Sequence, residues 1–374
     1  MQYLRNHIVV MLTLLIALNV TCCSEKEEPA SDQDPYNLMV DVLSIDQETG
    51  TVIIQAHAQN AILYAFYISF SDIPEEENDT GLFEYVFEDY GQYQIEVRAY
   101  GISGRYLKST KQITIEFQTN PVSLDQGYFS PLSYDGFNMV WADEFEGNTV
   151  NTANWVYDIG DGCPNLCGWG NNELQYYRQE NAWVADDVLT IEARKENFGT
   201  SNYTSARLKT QNRKSFQYGR VDIRALLPKG QGIWPALWML GNNISAVGWP
   251  QCGEIDIMEM IGGSGRENEV HGTLHWDNGG HTFTGQGYTL SSGTFADEYH
   301  VFSIIWNETS IKWFVNESQF YEINVTASHM TEFHHEFFFI FNIAVGGNWP
   351  GNPDNTTKFP QQMKVDYIRV FQQE

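Results

Sequence analysis

The chain has 374 residues, of which 14% are aromatic and 18% charged, and its formal net charge at pH 7 is -27. This charge argues against binding to nucleic acid or to anionic membrane surfaces, and more weakly against a heavily sulfated substrate. The length allows two domains, or one large domain with an appendage, and the aromatic composition favours an all-β fold with an aromatic-lined groove.

Residues 1–22 are typical of a signal peptide. Arg5 and His7 precede an apolar run over residues 8–18, which is too short to span a bilayer as a mature helix. The run ends at Cys22 and Cys23 and resembles a bacterial lipoprotein signal, in which one of these cysteines would be acylated. An ordinary secretory signal is the alternative, and both predict export.

An acidic, polar tether is predicted over residues 23–36. Its first acidic residues resemble the export tag of some surface lipoproteins, so we expect an outer-membrane lipoprotein exposed at the cell surface. A secreted or periplasmic protein is the alternative. Contact with a membrane is expected through the lipid anchor only.

Residues 37–118 contain short alternating runs separated by turns, which predicts a small antiparallel β-sandwich. The stretch 83–93 resembles the late strands of immunoglobulin-like modules of the polycystic-kidney-disease type. A spacer role is favoured, with glycan binding as the alternative. Residues 119–136 are predicted to be a linker with few contacts, and residues 137–374 a single β-sandwich with a concave groove, because no helical period is sustained there.

Three acidic residues, Glu254, Asp256 and Glu259, lie within an otherwise apolar stretch. Alternation in a strand puts Glu254 and Asp256 on one face, and Glu259 joins them only if one extra residue bulges out before it. The two glutamates would then be roughly 13 Å apart at Cα, and leaning side chains could reach the ~5–5.5 Å separation of a retaining glycosidase. An inverting pair would need roughly 6.5–9.5 Å. Three surface acids are the alternative, but unpaired charges among apolar neighbours are expensive unless they do chemistry.

The remaining cysteines are Cys163, Cys167 and Cys252. Cys163 and Cys167 could close a tight disulfide in an exported protein, which leaves Cys252 as a buried free thiol. A zinc site would need further ligands at suitable spacing, and the sequence suggests none.

An ordered series of motifs resembles glycoside hydrolase family 16 in its bulged, laminarinase-like form. The acidic motif stands among further landmarks at residues 141–145, 168–177, 216–220, 232–240, 342–350 and 365–370. The resemblance implies a β-jelly roll of the concanavalin A type, with Glu254 as nucleophile, Glu259 as general acid/base and Asp256 as their helper. We expect a neighbouring negative charge to raise the pKa of the second glutamate and so separate the two roles.

The resemblance also implies residues that bind the sugar chain. Trp234 and Trp238 resemble tryptophans near the cleavage point, and Asn171 and Arg207 resemble residues that hold sugars on the non-reducing side. Trp249 and Trp349 are predicted to lie in the groove, with a place in the core as the alternative. His275 resembles a groove histidine near the acid/base, with a structural role as the alternative. Trp155, Trp183, Trp306 and Trp313 lie in alternating apolar runs and are predicted to be core.

No cofactor is expected for catalysis. The resemblance implies one structural Ca²⁺ held by Glu144 and Asp366, which could equally be ordinary hydrogen-bond acceptors. The expected partner is a β-glucan polysaccharide, and the expected form is a monomer that does not bind nucleic acid.

The predicted activity is retaining endo-hydrolysis of β-1,3-glucan. A mixed-linkage β-1,3/1,4-glucanase, an agar or porphyran hydrolase of the same family and a transglycosylase are the enzymatic alternatives. An inactive glycan-binding protein is a further alternative, which the three intact acids disfavour.

Overall fold

The computed structural model describes residues 34–47, 49–69, 71–87, 91–116 and 122–374. The signal peptide, nearly all of the tether and both Cys22 and Cys23 lie outside these residues. No helix within the described ranges is long and apolar enough to cross a membrane.

The N-terminal unit consists of two antiparallel sheets around its own core. One sheet has the strand order β1-β2-β5 and the other β4-β3-β6-β7. In β2 every second side chain is buried, because alternate residues of a strand point to opposite faces. The unit agrees with the predicted small sandwich, while its immunoglobulin-like character stays a prediction. Its strands are β1 (Tyr36–Asp46), β2 (Thr51–Gln59), β3 (Leu63–Ile68), β4 (Glu76–Asn78), β5 (Leu82–Val86), β6 (Gly91–Tyr100) and β7 (Tyr106–Ile115).

The second unit is an all-β jelly-roll sandwich, as the sequence predicts. Its strands are β8 (Phe137–Asp143), β9 (Val156–Asp158), β10 (Gln175–Tyr177), β11 (Ala182–Ala185), β12 (Val188–Ala193), β13 (Tyr203–Ser205), β14 (Arg207–Lys209), β15 (Gly219–Leu226), β16 (Ile233–Gly241), β17 (Glu254–Glu259), β18 (Glu269–Asp277), β19 (His281–Thr289), β20 (His300–Trp306), β21 (Ser310–Val315), β22 (Ser318–Asn324), β23 (Phe337–Val345) and β24 (Gln361–Gln373). The helical segments are α1 (Ile244–Val247) and three short 3₁₀ turns, Cys167–Gly170, Gln179–Asn181 and Thr331–His334.

Two large sheets enclose the core of this unit. One has the order β19-β18-β17-β16-β23-β14-β9, and the other β11-β12-β24-β15-β20-β21-β22, with β8 paired to β24. In β18 buried residues alternate with half-buried ones, so one face of the seven-stranded sheet packs on the core and the other is accessible. We call the accessible side the open face.

The core between the sheets is aromatic. Trp155, Trp306 and Trp313 are buried in it, as predicted, whereas Trp183 is only partly buried. Cys252 is a buried free thiol in a smaller cluster beside the acidic strand, which also agrees with the prediction.

The segment predicted as a linker is instead attached to the jelly roll over residues 122–136. Gly127 forms a parallel bridge with Tyr299, and the Tyr128 amide donates to the Tyr299 carbonyl at 2.9 Å. The Tyr134 hydroxyl donates to Asp222 at 2.7 Å. The expectation of few contacts was therefore wrong for this part.

Arg224 binds this segment to the jelly roll. Its guanidinium is fully buried and donates to the carbonyls of Leu124, Gln126 and Tyr128 at 2.9, 2.7 and 2.6 Å, and to Asp366 at 2.7 Å. A buried charge is tolerated only when paired and hydrogen-bonded, and the segment supplies three of these acceptors. Sequence composition cannot reveal this role, because the acceptors are backbone groups.

Candidate active site

Strand β17 carries Glu254, Asp256 and Glu259 to the open face through a β-bulge. Across β18, Asp256 pairs with Thr273 but Glu259 pairs with His271, so three steps along β17 match two along its partner. Pairing with β16 on the other side is shifted as well. The bulge that the sequence predicts is present, and it turns Glu259 to the side of the other two acids.

A tryptophan from the opposite sheet supports the bulge. The Trp313 indole N–H donates to the Asp256 carbonyl at 2.8 Å, and the side chain is fully buried. Gly272 makes room for this indole, since a Cβ at that position would lie 2.4 Å from it. A bulge disrupts ladder hydrogen bonds, and Trp313 satisfies a carbonyl beside it. The sequence reasoning assigned Trp313 to the core but missed this contact.

Glu254 is held by an indole and lies near an imidazole. Trp249 donates its N–H to Oε2 at 3.0 Å, and His275 Nε2 lies 3.7 Å from Oε1. Burial, followed by the negative charge of Asp256, raises the pKa of Glu254 from 4.5 to about 8, while His275 acts in the opposite direction. The side chain is 17% exposed, so a ligand on the open face can reach it.

Glu259 has a matching environment. Trp234 donates its N–H to Oε1 at 3.0 Å, and Trp349 packs edge-on against Trp234 with 5.7 Å between ring centres. Burial and the charge of Asp256 raise the pKa of Glu259 to about 8. The two glutamates therefore do not have the different pKa values that we expected, because burial and the charge of Asp256 act on both.

Asp256 lies between them and is 3% exposed. Burial raises its pKa well above the ordinary value, and its Oδ2 has no hydrogen-bond partner. His275 Nε2 lies 3.3 Å from this oxygen. Burial therefore disfavours the charged form of this carboxyl group.

Sugar-binding candidates lie on the β16 and β14 side of these acids. The Arg207 guanidinium stacks between Trp169 and Trp238, with 4.7 and 4.9 Å to the ring centres, and its Nε lies 3.1 Å from Asp158. Trp238 donates its N–H to Asn342 at 2.8 Å. Flat rings and a fixed guanidinium are suited to the apolar faces and hydroxyls of a sugar.

Glu173 is a partly buried acid that the sequence reasoning did not single out. It accepts hydrogen bonds from Asn171, Gln175 and Tyr177 at 3.3, 2.7 and 3.2 Å, and burial raises its pKa. Asn171 therefore belongs to this network. The signal that could have identified Glu173 is its position in the landmark stretch 168–177.

His275 lies beside Glu254 and Asp256, and it is also close enough to Glu259 to lower the pKa of that carboxyl group. Its ring stacks on His281 and Phe283, with 5.1 and 5.6 Å between ring centres. Phe283 is 65% exposed, so these rings continue the open face toward β19. Neither His281 nor Phe283 belongs to a motif that the sequence reasoning used.

The predicted disulfide is formed, and the predicted calcium residues lie in β24 and directly after β8, in the other large sheet. The sulfur atoms of Cys163 and Cys167 are 2.08 Å apart, which is bonding distance. Glu144 accepts two hydrogen bonds from Arg369, at 2.7 and 2.8 Å, and Asp366 is bound by a guanidinium as described above. Each carboxylate is paired with an arginine. As arranged, these two residues therefore do not fit the Ca²⁺ site predicted for them.

Comparisons with known proteins agree on one family. The model of "Glycosyl hydrolases family 16" matches residues 169–369. The clotting factor G alpha subunit of Tachypleus tridentatus is 40% identical, and the match covers 63% of this chain and 34% of that protein. Glucan endo-1,3-beta-glucosidase A1 of Niallia circulans is 38% identical over 64% of this chain and 38% of its own length.

Among solved structures, the catalytic domain of an endo-1,3-beta-glucanase (laminarinase) from Thermotoga petrophila RKU-1 is 44% identical with a TM-score of 0.60. That match covers 64% of this chain and 98% of the solved domain. This chain thus spans about a third of the length of the two curated relatives, but nearly the whole of the solved catalytic domain.

Proposed function

The chain belongs to glycosyl hydrolase family 16 and is a glycoside hydrolase, and from this we propose that it is a retaining endo-hydrolase of laminarin-type β-1,3-glucan. The observation that carries the proposal is the β17 bulge, which brings Glu254 and Glu259 to one face with separate indole donors. The names of its relatives support the substrate, since two of those above are endo-1,3-glucan enzymes.

In the first step, the ionised Glu254 attacks the anomeric carbon of the sugar. A bond forms between a carboxylate oxygen and this carbon, while the glycosidic C–O bond breaks. Glu259 donates its proton to the departing oxygen, so that the leaving sugar departs as an alcohol.

In the second step, water attacks the same carbon and releases Glu254. Glu259, now ionised, takes a proton from the water and returns to its starting state. Two displacements at one carbon retain its configuration.

The surroundings of the two acids favour these roles. Glu254 needs stabilisation as an anion, and Trp249 N–H and His275 both favour its charged form. Glu259 must be protonated for the first step, and its pKa of about 8 keeps it so at neutral pH. Because the pKa of Glu254 is raised to the same value in the free protein, only a minor fraction of the enzyme has Glu254 ionised at that pH.

Product analysis on four substrates in parallel tests the proposal. We expect short oligosaccharides from laminarin, with weaker activity on barley β-glucan and lichenan and none on agarose. Proton NMR of the first product should detect the β-anomer, and an α-anomer would overturn the retaining mechanism. Faster hydrolysis of lichenan than of laminarin would favour the mixed-linkage alternative.

We also propose a surface lipid anchor on Cys22 or Cys23, because a long glucan cannot pass an intact outer membrane before it is cut. Labelling with a palmitate analogue should mark the full-length protein, and changing both cysteines to serine should remove the label. An unlabelled, secreted protein would exclude the anchor. Labelled protein that a protease added to intact cells cannot reach would exclude surface display.

A further inference from the structure

An imidazole nitrogen and two carboxylates converge beside the nucleophile. Glu254, Asp256 and His275 each offer one ligand atom, and these atoms lie within 4.8 Å of one another. His275 Nε2 is 3.3 Å from Asp256 Oδ2 and 3.7 Å from Glu254 Oε1. A cluster of acids alone would not indicate a metal site, but this one contains a nitrogen ligand.

The second observation is the unpartnered oxygen of Asp256. Its Oδ2 is buried, accepts no hydrogen bond and points toward His275 in a residue that is 3% exposed. A buried polar atom without a partner is rare and unfavourable, and it calls for an explanation. A cation between Asp256 and His275 would satisfy it.

His281 presents His275 in the form that a metal requires. His275 Nδ1 and His281 Nε2 lie at a hydrogen-bond distance of 2.8 Å. When His275 donates from Nδ1, its Nε2 carries a lone pair directed at the two carboxylates. A hydrogen bond from the other ring nitrogen is the usual way in which metal-binding histidines are oriented.

We propose that Glu254, Asp256 and His275 bind a divalent transition-metal ion of the zinc type, and that this ion inhibits the enzyme. The distances of 3.3 and 3.7 Å from His275 Nε2 to the two carboxylates fit zinc, because tetrahedral bonds of about 2.1 Å put neighbouring ligands about 3.4 Å apart. Ca²⁺ needs six or more oxygen ligands at longer distances, so the site discriminates against it. The inhibition rests on the proposed function, since the ion occupies the carboxylate that attacks the sugar.

Zinc binding is tested first without substrate, by isothermal titration calorimetry with Zn²⁺ on the full chain. His275→Gln should weaken binding at this site by roughly 100-fold, and His281→Gln, which removes only the orienting partner, by roughly 10-fold. His57→Gln is the matched control, because His57 is exposed on β2 of the N-terminal unit and should leave binding unchanged. Circular dichroism verifies that each variant folds, and if His275→Gln does not, His281→Gln decides.

Kinetics test the position of the ion. Zn²⁺ should inhibit laminarin hydrolysis competitively, and a chelator should restore the activity. The same concentration of Mg²⁺ or Ca²⁺ should not inhibit. If His275→Gln folds and binds zinc as tightly as the wild type, the site is overturned. If His275→Gln does not fold, unchanged zinc affinity in His281→Gln overturns it. Non-competitive inhibition would overturn its location on the nucleophile. If no glucan were cleaved, the proposed function would fail, while the calorimetry would still decide the metal site.

Discussion

Replacing Glu259 with glutamine is expected to abolish most turnover and yet stabilise the fold near neutral pH. Burial and the charge of Asp256 raise the pKa of Glu259 from 4.5 to about 8 in the folded protein. The unfolded chain has neither influence, so its carboxyl group titrates near the ordinary value. The folded state therefore binds this proton more tightly.

The sign and size of the effect follow from that difference. Between about pH 4.5 and pH 8 the folded state holds more protons than the unfolded chain, so the free energy of unfolding falls as pH rises. One pKa unit corresponds to about 1.4 kcal/mol, and pH 7 is about 2.5 units above the ordinary pKa. Glu259 should thus destabilise the wild-type protein by up to about 3 kcal/mol at pH 7. Glutamine avoids this, and its amide oxygen can still accept the Trp234 N–H.

Thermal unfolding of wild type and Glu259→Gln from about pH 4 to pH 7 measures the effect. In a domain of this size about 3 kcal/mol corresponds to roughly 6–12 °C, so the variant should gain up to that much at pH 7 and nothing at pH 4. Glu308→Gln, at an exposed turn, controls for the loss of one negative charge. A difference that does not grow with pH, or a variant less stable than wild type at pH 7, would refute the reasoning.

Three further predictions concern the supports of the site and the nucleophile. Trp313→Phe removes the N–H that holds the bulge, so it should lower kcat and also lower stability by about 1–3 kcal/mol. Trp306→Phe is the control: it loses a comparable buried hydrogen bond away from the bulge and should lower stability but not kcat. A chain beginning at residue 122 should remain active. A chain beginning at residue 137 lacks three of the carbonyls that bind the buried Arg224, so its free energy of unfolding, measured with denaturant, should fall by about 3–5 kcal/mol. Glu254→Ala should be inactive, and azide should rescue it as an α-glycosyl azide identified by NMR; a β-azide would contradict the assignment of the nucleophile.

The sequence by itself determined the class of fold and the strand that carries the chemistry. Alternating apolar residues and turn residues predict β-structure, because a strand exposes every second side chain to the same side. The same period showed that Glu259 needs a bulge to join Glu254, and the shifted register confirms this. These conclusions are local, since they depend on residues a few positions apart.

Tertiary structure alone decided which distant groups act on those acids. Trp313 reaches the Asp256 carbonyl from the opposite sheet, and His281 reaches His275 across a strand pair. The residues attached through Arg224 read as a linker because their contacts use backbone carbonyls, which carry no side-chain signature. Burial and charge depend on three-dimensional packing, so the nearly equal pKa values of the two glutamates could not be read from a spacing of five residues.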